Sequence, residues 1–360
     1  MGKRTIIPFG PQHPVLPEPL HIDLVLEDEK VVEAIPSIGY IHRGLETLVD
    51  KNEWPEMVYV IERICGICSF GHGWGYCKSI EGNLGVEIPP RAEYLRTMWH
   101  ELSRVHSHLL WLGLMADAFG FESLFMHSWR LRETVLDIFE DTTGGRVIFS
   151  VCKVGGVRKD VTNEKLKEIA KTLNGMKKEL TELANVFLDD VSVRHRMVGV
   201  GVLSKQEAFD LGAVGPTARG SGLNNDVRHD GSGIYAELGF EACLEEAGDS
   251  YARCKVRVRE VFQSIELIER ITETIPDGDI EIVIKGKHPA SENVERMEQP
   301  RGETYYYSKG SGQKFLERMR VRTPTNANIP PLVKTLQGCD LADVPVLVLT
   351  IDPCISCTER

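Results

Sequence analysis

Two Cys-x-x-Cys pairs, separated by most of the 360-residue chain, constrain its fold more than any other feature. The first pair is Cys65 and Cys68, and the second is Cys354 and Cys357. A Cys-x-x-Cys unit brings two thiolates within reach of one metal ion, and two such units complete a four-sulfur site. A fold that uses both pairs together has to return its last residues to a position beside residues 65–68.

The spacing alone leaves three interpretations open: a structural zinc ion, an iron–sulfur or other redox metal, and thiols unrelated to one another. Structural zinc usually links ligand pairs that are ~15–20 residues apart, whereas residues 68 and 354 are 286 positions apart. Charged residues also flank the cysteines, namely Arg63 and His72 at the first pair and Asp352 at the second. Such neighbours tune ligand basicity and move protons, so they favour a redox or acid–base site.

The composition argues against several other classes of protein. The chain has 53 acidic and 42 basic side chains and a net charge of −11, which disfavours a nucleic-acid partner because binding phosphates requires a basic surface. Apolar runs such as residues 344–349 are far shorter than the ~20 residues of a membrane span. The N-terminus has no apolar signal segment. Nine cysteines indicate thiols or metal ligands in a reducing compartment, as in a cytosolic-type globular protein.

The spacing of apolar residues changes along the chain. Residues 20–26 alternate between apolar and polar, and residues 27–30 supply a turn, so the first forty residues predict a small β-hairpin or sheet. From Pro55 the spacing is helical. Helices are predicted over residues 55–68, about 91–119, 161–190 and about 238–275. Short strands are predicted over residues 280–284, 303–307 and 344–351.

These elements predict an α+β fold that is mainly α, with a central bundle of long helices flanked by small β-rich segments from both termini. The sequence contains no linker long enough to separate two domains, so we predict a single domain over residues 1–360. Its parts would be a β-rich N-terminal segment (1–53), a helical core (54–275) and a mixed α/β C-terminal segment (276–360).

The cysteine motifs resemble those of a known family. Arg-x-Cys-Gly-x-Cys-x-x-x-His at residues 63–72 and Asp-Pro-Cys-x-x-Cys at residues 352–357 are similar to motifs of the large subunit of nickel–iron hydrogenases. The resemblance is closest to the energy-converting membrane hydrogenases, the Ech type and its carbon-monoxide-linked and formate-linked relatives. Other matching segments are residues 10–14, 39–46, 155–160, 218–222 and 298–303. The quinone-site subunit of respiratory complex I is similar in framework but lacks the four cysteines.

The resemblance implies the fold of a nickel–iron hydrogenase large subunit. It also implies reversible formation and heterolytic cleavage of H2 at a nickel–iron centre whose iron carries carbon monoxide and cyanide. By position, Cys65 and Cys354 would be terminal nickel ligands, and Cys68 and Cys357 would bridge nickel and iron. Soft thiolates suit both metals. The Cys354 thiolate would also be the base that accepts the proton.

Five further residues acquire roles through the same resemblance. Glu46 matches a carboxylate that relays the proton outward, and its alternative is a surface glutamate in a helix cap. Arg301 matches an arginine above the open metal position, where a fixed guanidinium polarises hydrogen or binds cyanide, and its alternative is a solvated loop charge. Asp352 and Asp117 match carboxylates around that arginine, Asp117 through a looser pattern. His72 matches a histidine that hydrogen-bonds a bridging sulfur, and its alternative is an ordinary loop residue.

The other five cysteines lack the spacing of an iron–sulfur cluster, so we expect no such cluster in this chain. The resemblance then implies a small hydrogenase subunit with a 4Fe-4S cluster, further ferredoxin-like and integral membrane subunits that translocate ions, and ferredoxin as electron donor. The protein would be peripheral on the cytoplasmic face of the cell membrane. Arg360 stands where many soluble relatives have a metal-binding histidine, which leaves a further metal site undecided.

Two other functions remain open. The protein could be a complex I-like quinone oxidoreductase subunit without a nickel–iron site, although a quinone pocket needs none of the four cysteines. It could also be a non-catalytic subunit that zinc holds together. Metal content separates the three functions: nickel with iron for the hydrogenase, no metal for the quinone subunit and zinc alone for the non-catalytic subunit.

Overall fold

The computed structural model of the protein describes residues 4–360. In this range the chain is mainly helical with three small antiparallel sheets, which confirms the predicted α+β, mainly α fold. The strands are β1 (Thr5–Phe9), β2 (His21–Glu27), β3 (Lys30–Ser37), β4 (Cys152–Lys153), β5 (Gly156–Val157), β6 (Glu292–Gln299), β7 (Gly302–Gly310) and β8 (Leu316–Arg322). The α-helices are α1 (Leu45–Asp50), α2 (Val58–Glu62), α3 (Ser69–Leu84), α4 (Pro90–Ala118), α5 (Glu122–Thr143), α6 (Asn163–Asp189), α7 (Val191–Met197), α8 (Lys205–Asp210), α9 (Gly215–Arg219), α10 (Ser250–Thr274), α11 (Pro324–Leu336), α12 (Val344–Thr350) and α13 (Ile355–Glu359).

The N-terminal sheet contains the predicted hairpin. Strands β1, β2 and β3 pair in sequence order, and Glu27 pairs with Lys30 across the turn. Asp28 and Glu29 have positive φ angles of 51° and 64°. Two consecutive left-handed residues are the geometry of a type I′ turn, whose twist matches that of the paired strands.

Helix α4 is the centre of the helical core. It begins at Pro90, where a missing backbone N–H is tolerated, and nearly every side chain along it is buried. It packs against α5 and α10, and α10 packs against α6. The Asp249 carboxylate caps α10 by accepting a hydrogen bond from the Ala252 N–H at 2.7 Å. In the described part of the chain, no helix combines the length and apolarity that crossing a bilayer requires.

Three predicted elements in the first 300 residues differ from the structure. The helix predicted over residues 55–68 is interrupted: α2 ends at Glu62, and a loop connects it to α3. The helix predicted from residue 238 begins only at Ser250, after the Asp249 cap. Residues 280–284 form an isolated bridge between Glu281 and Gly156 instead of a strand. In the two helical cases a loop or a cap bounds the helix inside a continuous apolar pattern.

The strand predicted over residues 344–351 is wrong, because these residues form helix α12. A short apolar run has no period that separates a buried strand from a buried helix. Pro345 lies in the first turn of α12, where proline is compatible with a helix. Helices α5 and α11 have no counterpart in the prediction.

The N-terminal sheet packs against the C-terminal helices and brings the two ends of the chain together. Ile22 and Leu24 of β2 share a buried cluster with Leu336 of α11 and Leu347 of α12. The Val31 N–H of β3 also donates to the carbonyl oxygen of residue 339 at 2.9 Å. Helix α12 in turn packs against α4, which places the second cysteine pair beside the helical core. The assignment of residues 1–360 to a single domain, with three parts that meet at residues 53 and 275, stays a prediction.

Candidate metal centre

The four cysteines of the two motifs form one buried cluster. Cys65 and Cys68 lie in the loop between α2 and α3, and Cys354 and Cys357 lie at the start of α13. The Sγ atoms of Cys65 and Cys354 are 3.3 Å apart, and so are those of Cys68 and Cys357. All four side chains are buried, and all four thiols are free. Each cysteine of the first motif therefore lies beside one cysteine of the second motif.

Hydrogen bonds with backbone and hydroxyl groups fix the positions of Cys354 and Cys357. The Cys354 sulfur accepts the Cys357 N–H at 3.4 Å, and the Cys354 N–H donates to Thr325 Oγ1 at 3.1 Å. Thr323 Oγ1 donates to the Cys357 carbonyl oxygen, also at 3.1 Å. These contacts with the start of α11 hold both thiols toward the loop between α2 and α3.

The donor set fits a bound metal. Thiolates on one metal ion, each at ~2.3 Å, lie within about 4 Å of each other, and the Sγ atoms of Cys65, Cys68 and Cys357 all lie within 4.8 Å of one another. Burial raises the pKa of the Cys357 thiol well above its usual range. A bound metal would therefore displace a proton there. Thiolates suit nickel, iron and zinc alike, so the cluster alone does not choose among them.

A cavity of about 230 Å³ adjoins the cluster at Cys354. Its polar lining is Glu18, Arg301 and Asp352, and its apolar lining is Pro17, Ile67, Leu110, Leu114, Trp129 and Pro353. Structural zinc sites are closed by four protein ligands, whereas catalytic metal sites keep an open position. The space beside Cys354 would leave such an open position, as in a catalytic metal site.

Arg301 and Asp352 form a buried ion pair at the cavity. Arg301 Nη2 lies 2.8 Å from Asp352 Oδ1, and Arg301 Nε donates to the Asp352 carbonyl oxygen at 3.0 Å. Burial opposes the charge of Arg301, but Asp352 and the nearby cysteines hold its pKa well above the usual range. Asp352 has a φ of 54°, which is uncommon for a residue other than glycine, and turns the chain from α12 toward Cys354.

The structure does not place Asp117 among the residues that line the cavity with this arginine. Asp117 is exposed near the end of α4, and the α4 residue that contacts Arg301 is Ser107, whose Oγ accepts from Nη1 at 3.3 Å. Ten residues along a helix correspond to about 15 Å and to a rotation of about 80° away from the starting side. Asp117 has nearly the same helical phase as Leu110 but lies farther along α4, beyond Leu114, the last α4 residue that lines the cavity.

His72 contacts the cluster directly and is not a loop residue, because it is buried within α3. Its Nε2 lies 3.3 Å from Cys357 Sγ, and its Nδ1 lies 3.0 Å from the Tyr306 hydroxyl. Gln299 Nε2 in turn donates to that hydroxyl at 2.8 Å. A second hydrogen bond of this kind fixes the ring orientation and tautomer of a histidine beside a metal ligand.

Glu46 is buried in α1, so the surface helix-cap alternative is wrong. Its Oε1 accepts hydrogen bonds from the Val321 N–H at 2.8 Å and from Arg360 Nε at 3.1 Å, and its Oε2 pairs with Arg320. Within residues 4–360, no direct hydrogen bond joins Glu46 to a cysteine thiol. The two arginines and one backbone N–H account for its contacts.

Three residues that the sequence motifs do not single out complete the site: Glu18, Ser107 and Tyr306. Glu18 lines the cavity with Cys354, and its carboxylate accepts the Ser356 N–H at 2.9 Å as well as the Ser356 hydroxyl. The one available signal for Glu18 is a lone carboxylate between two prolines. Ser107 and Tyr306 give no such signal, because they reach the site only through helix phase and strand register.

Two family models match the chain. The model of the respiratory-chain NADH dehydrogenase 49 Kd subunit matches residues 118–285 and 280–360. The model of nickel-dependent hydrogenases matches residues 43–116, a range that includes the first cysteine pair, His72 and Glu46. Together the two models cover most of the chain.

Individual relatives include hydrogenase subunits and other respiratory subunits. The chain is 37% identical to the membrane-bound hydrogenase subunit alpha of Pyrococcus furiosus, over 98% of this chain and 87% of that protein. It is 38% identical to the carbon monoxide-induced hydrogenase of Rhodospirillum rubrum, over 98% and 99%. It is 35% identical to a subunit of the F(420)H(2) dehydrogenase of Methanosarcina mazei, over 100% and 98%.

A chain in the solved structure of the membrane-bound sulfane sulfur reductase, an archaeal respiratory membrane complex, superposes with a TM-score of 0.94. The two are 29% identical, and the match covers 99% of this chain and 98% of that chain. The protein therefore belongs to the family of nickel–iron hydrogenase large subunits of the energy-converting membrane type, which is related to the 49-kDa subunit of respiratory complex I.

Proposed function

We propose that this protein is the catalytic subunit of a membrane-associated energy-converting hydrogenase. It would form and cleave H2 reversibly at a nickel–iron centre bound by Cys65, Cys68, Cys354 and Cys357. The observation that carries the proposal is the four-thiol cluster beside a cavity with a fixed ion pair. A structural zinc site does not require an adjoining cavity, and a quinone pocket does not require the four thiols.

Heterolytic cleavage of H2 breaks the H–H bond into a proton and a hydride, which carries the electron pair of that bond and yields the second proton when the two electrons are removed. A nickel–iron centre, with carbon monoxide and cyanide on the iron, supplies the acceptor of the electron pair when it is bound. The thiolate of Cys354 is the proposed base for the proton, because it borders the cavity. Arg301 is held by Asp352 and would polarise H2 or bind a cyanide ligand through its fixed guanidinium.

Two carboxylates are proposed to move the proton from Cys354 toward solvent. Glu18 lines the same cavity as Cys354, so we propose it as the first acceptor. The family resemblance assigns Glu46 to relaying the proton outward from Cys354. Because its oxygens are occupied by Arg320, Arg360 and the Val321 N–H, we propose it as the outer relay after Glu18. The His72 imidazole is proposed to tune the sulfur of Cys357, which it contacts.

The electrons need a partner protein, because the cysteines outside the cluster do not group into a second metal site within residues 4–360. We propose a small hydrogenase subunit with a 4Fe-4S cluster as the electron exit, with ferredoxin as the donor for H2 formation. Further ferredoxin-like and integral membrane subunits would couple electron transfer to ion translocation. The protein would be peripheral on the cytoplasmic face of the cell membrane.

The second candidate function is that of a complex I-like oxidoreductase subunit without a nickel–iron centre. It is favoured by the NADH dehydrogenase 49 Kd model, which matches more of the chain than the hydrogenase model does. The 35% identity to a subunit of the F(420)H(2) dehydrogenase points the same way. The complete set of four clustered cysteines favours the hydrogenase.

The test is to purify the complex that contains this chain and to measure nickel, iron and zinc together with its infrared spectrum and H2 turnover. The proposal predicts nickel and iron, carbon monoxide and cyanide bands, and H2 turnover. Cys68→Ser should abolish all of these, because a hard oxygen replaces a soft bridging ligand, whereas Cys254→Ser, in a buried cysteine outside the cluster, should retain them. Zinc alone, or no metal with quinone reduction, would contradict the proposal.

A further inference from the structure

Two arginines of α10, Arg253 and Arg257, are fully buried one helical turn apart. Within residues 4–360, neither guanidinium has a carboxylate close enough for an ion pair. Burial lowers the pKa of each side chain to about 10, so both are charged at neutral pH. Burial of a cation without a carboxylate partner is unfavourable, and its retention requires a structural reason.

The contacts of Arg257 lead to the C-terminal end of α12. Arg257 Nη2 donates to the Thr350 carbonyl oxygen at 2.9 Å. Its guanidinium also lies over the indole of Trp111, 4.3 Å from the ring centroid. The Trp111 Nε1–H donates to the Leu349 carbonyl oxygen at 2.7 Å. Arg257 therefore fixes two successive carbonyls, one directly and one through the ring that it stacks on.

These carbonyls immediately precede the ion pair at the cavity. The Leu349 carbonyl that binds Trp111 also accepts the Asp352 N–H at 2.9 Å. The other carboxylate oxygen of Asp352, Oδ2, has no partner in the described residues. The position of Asp352 is therefore set mainly by its backbone and by Arg301. The end of α12 is the part of the backbone that Arg257 and Trp111 hold.

We propose that Arg257 is a positioning residue of the metal centre. Acting through Trp111 and the end of α12, it holds Asp352, and with it Arg301, at the cavity beside Cys354. For its effect on H2 turnover, this inference rests on the proposed function. The last carbonyl oxygens of a helix have no intrahelical partners and carry a partial negative charge. The positive charge of Arg257 lies beside such a carbonyl at the end of α12.

Arg253 provides a matched control. It is equally buried on the same helix, and it donates to Thr350 Oγ1 at 3.1 Å and to the Gly248 carbonyl at 3.0 Å. It does not contact Trp111 or the two carbonyls that Arg257 fixes. Arg253→Met and Arg257→Met remove the same charge and the same volume. The first removes a contact with the Thr350 side chain, and only the second removes the contacts that hold the Leu349 and Thr350 carbonyls.

The experiment compares Arg257→Met, Arg257→Lys and Arg253→Met in the full-length chain within its complex, at equal nickel and iron content. For Arg257→Met we expect H2 turnover to fall about tenfold, a common scale for coupled neighbours, and the cyanide bands to shift because Arg301 moves. Arg257→Lys keeps the charge and one donor, so it should recover part of the lost turnover and reduce the shift of the cyanide bands. Arg253→Met should stay within about twofold with unshifted bands.

A double variant tests the route through Arg301. If Arg257 acts by placing Arg301, Arg257→Met should cost nothing further in an Arg301→Lys background. Losses that multiply would overturn the inference. So would an Arg257→Met variant that behaves like Arg253→Met in turnover and in band positions.

A metal-free measurement keeps the inference separate from the proposed function. Wild-type protein without nickel and iron would overturn the proposed function alone. The full-length chain would then be titrated with Co²⁺, whose thiolate absorption reports binding at the cysteine cluster. Arg257→Met should weaken Co²⁺ binding about tenfold, because it loosens the segment that carries Cys354, and Arg253→Met less than twofold. Equal affinities for these two variants would overturn the inference.

Discussion

Single side chains around the cysteine cluster are buried as charged or hydrogen-bonded groups, so each substitution there has a defined electrostatic consequence. Arg301 is the clearest case, because all three nitrogens of its guanidinium are used: Nε and Nη2 bind Asp352, and Nη1 binds Ser107. A fork of fixed donors cannot be replaced by a point charge on a flexible stem.

Arg301→Lys is expected to keep nickel and iron content normal while H2 turnover falls by about two orders of magnitude, the scale for loss of one preorganised electrostatic group. Metal analysis and turnover on the same sample provide the measurement. Asp117→Asn is the control, because Asp117 is exposed away from the cavity, and it should leave turnover unchanged. Normal turnover in Arg301→Lys would place Arg301 outside the reaction.

Glu18→Gln and Glu46→Gln compare the two proposed proton carriers. Glutamine keeps the size and hydrogen bonding of glutamate but cannot exchange a proton at neutral pH. Loss of an acid–base group lowers a rate by about 10²–10⁴-fold, and we expect this loss in hydrogen–deuterium exchange for Glu18→Gln. Glu46→Gln should lower exchange as well if it is the outer relay. Wild-type exchange in both variants, with metals present, would mean that protons leave by another route.

Glu62 gives a prediction about stability and pH. Its Oε2 accepts the Ser150 hydroxyl at 2.9 Å, and Oε1 has no partner within residues 4–360. Burial raises its pKa from 4.5 to about 7. Between these values the unfolded chain has released the proton and the folded protein retains it, so stability falls as pH rises through this window. Above pH 7 the loss amounts to about 3 kcal/mol.

Glu62→Gln removes this loss, so its unfolding free energy should exceed that of the wild type by up to about 3 kcal/mol at pH 8. Near pH 4.5 the two proteins should be equally stable. Urea unfolding at both pH values measures the difference. A difference that does not grow with pH would show that Glu62 is ionised in the folded protein.

At the scale of elements, helix α3 positions His72 because its glycines allow close approach by its neighbours. A Cβ at Gly71 would lie 3.0 Å from Gln299, and a Cβ at Gly73 would lie 2.6 Å from Glu62 Oε1. A Cβ at Gly75 would overlap the ring of Tyr306, the residue that orients the His72 imidazole. Gly75 therefore sets the distance between α3 and β7, and Gly71 and Gly73 set the distances from α3 to β6 and α2.

Gly75→Ala should displace Tyr306 and cost about 1–3 kcal/mol of unfolding free energy through overpacking. It should also lower metal content, because His72 and Cys357 move apart. Gly175→Ala is the control: Gly175 is interior to α6, where an added Cβ meets no atom within 4 Å. That change should stabilise the protein by roughly 0.5–1 kcal/mol. Equal effects of the two changes would contradict the role assigned to Gly75.

Element identity could be predicted from the sequence where periodicity was long, and not where it was short. The apolar pattern and Pro90 predict α4, and alternation predicts β2. Val344–Thr350 has seven apolar or small residues and no diagnostic period, so its helical state depends on tertiary packing. The meeting of the cysteine pairs follows from metal chemistry, whereas the contact of Ser107 with Arg301 depends on a helical phase that residue types do not reveal.

At the scale of the whole molecule, the helical core contains a network of buried charges. Arg219 lies 3.0 Å from Asp226, 2.8 Å from Glu260 and 2.6 Å from Glu298, and all four side chains are fully buried or nearly so. Burial and the neighbouring Asp226 raise the pKa of Glu298 to about 7. One arginine thus compensates carboxylates from the segment after α9, from α10 and from β6.

Arg219→Met should destabilise the protein by about 3–5 kcal/mol, because it removes the cation that pairs with buried Glu298 and one of the cations beside Asp226 and Glu260. Arg146→Met is the control, since Arg146 pairs with three carboxylates on the surface, where ion pairs contribute only about 0–1 kcal/mol. Urea unfolding measures both variants. Losses of similar size would mean that the network does not stabilise the core through charge compensation.

The joining of residues 65–68 to residues 354–357 has a consequence for biosynthesis. During translation the first pair leaves the ribosome long before the second, so the complete donor set exists only after residue 357 has been made. Closing so long a loop is entropically costly and slow, and metal binding to the closed set is coupled to that closure. Metal acquisition is thus expected to follow synthesis, and a protein interrupted before residue 354 would fold its helices without ever acquiring the centre.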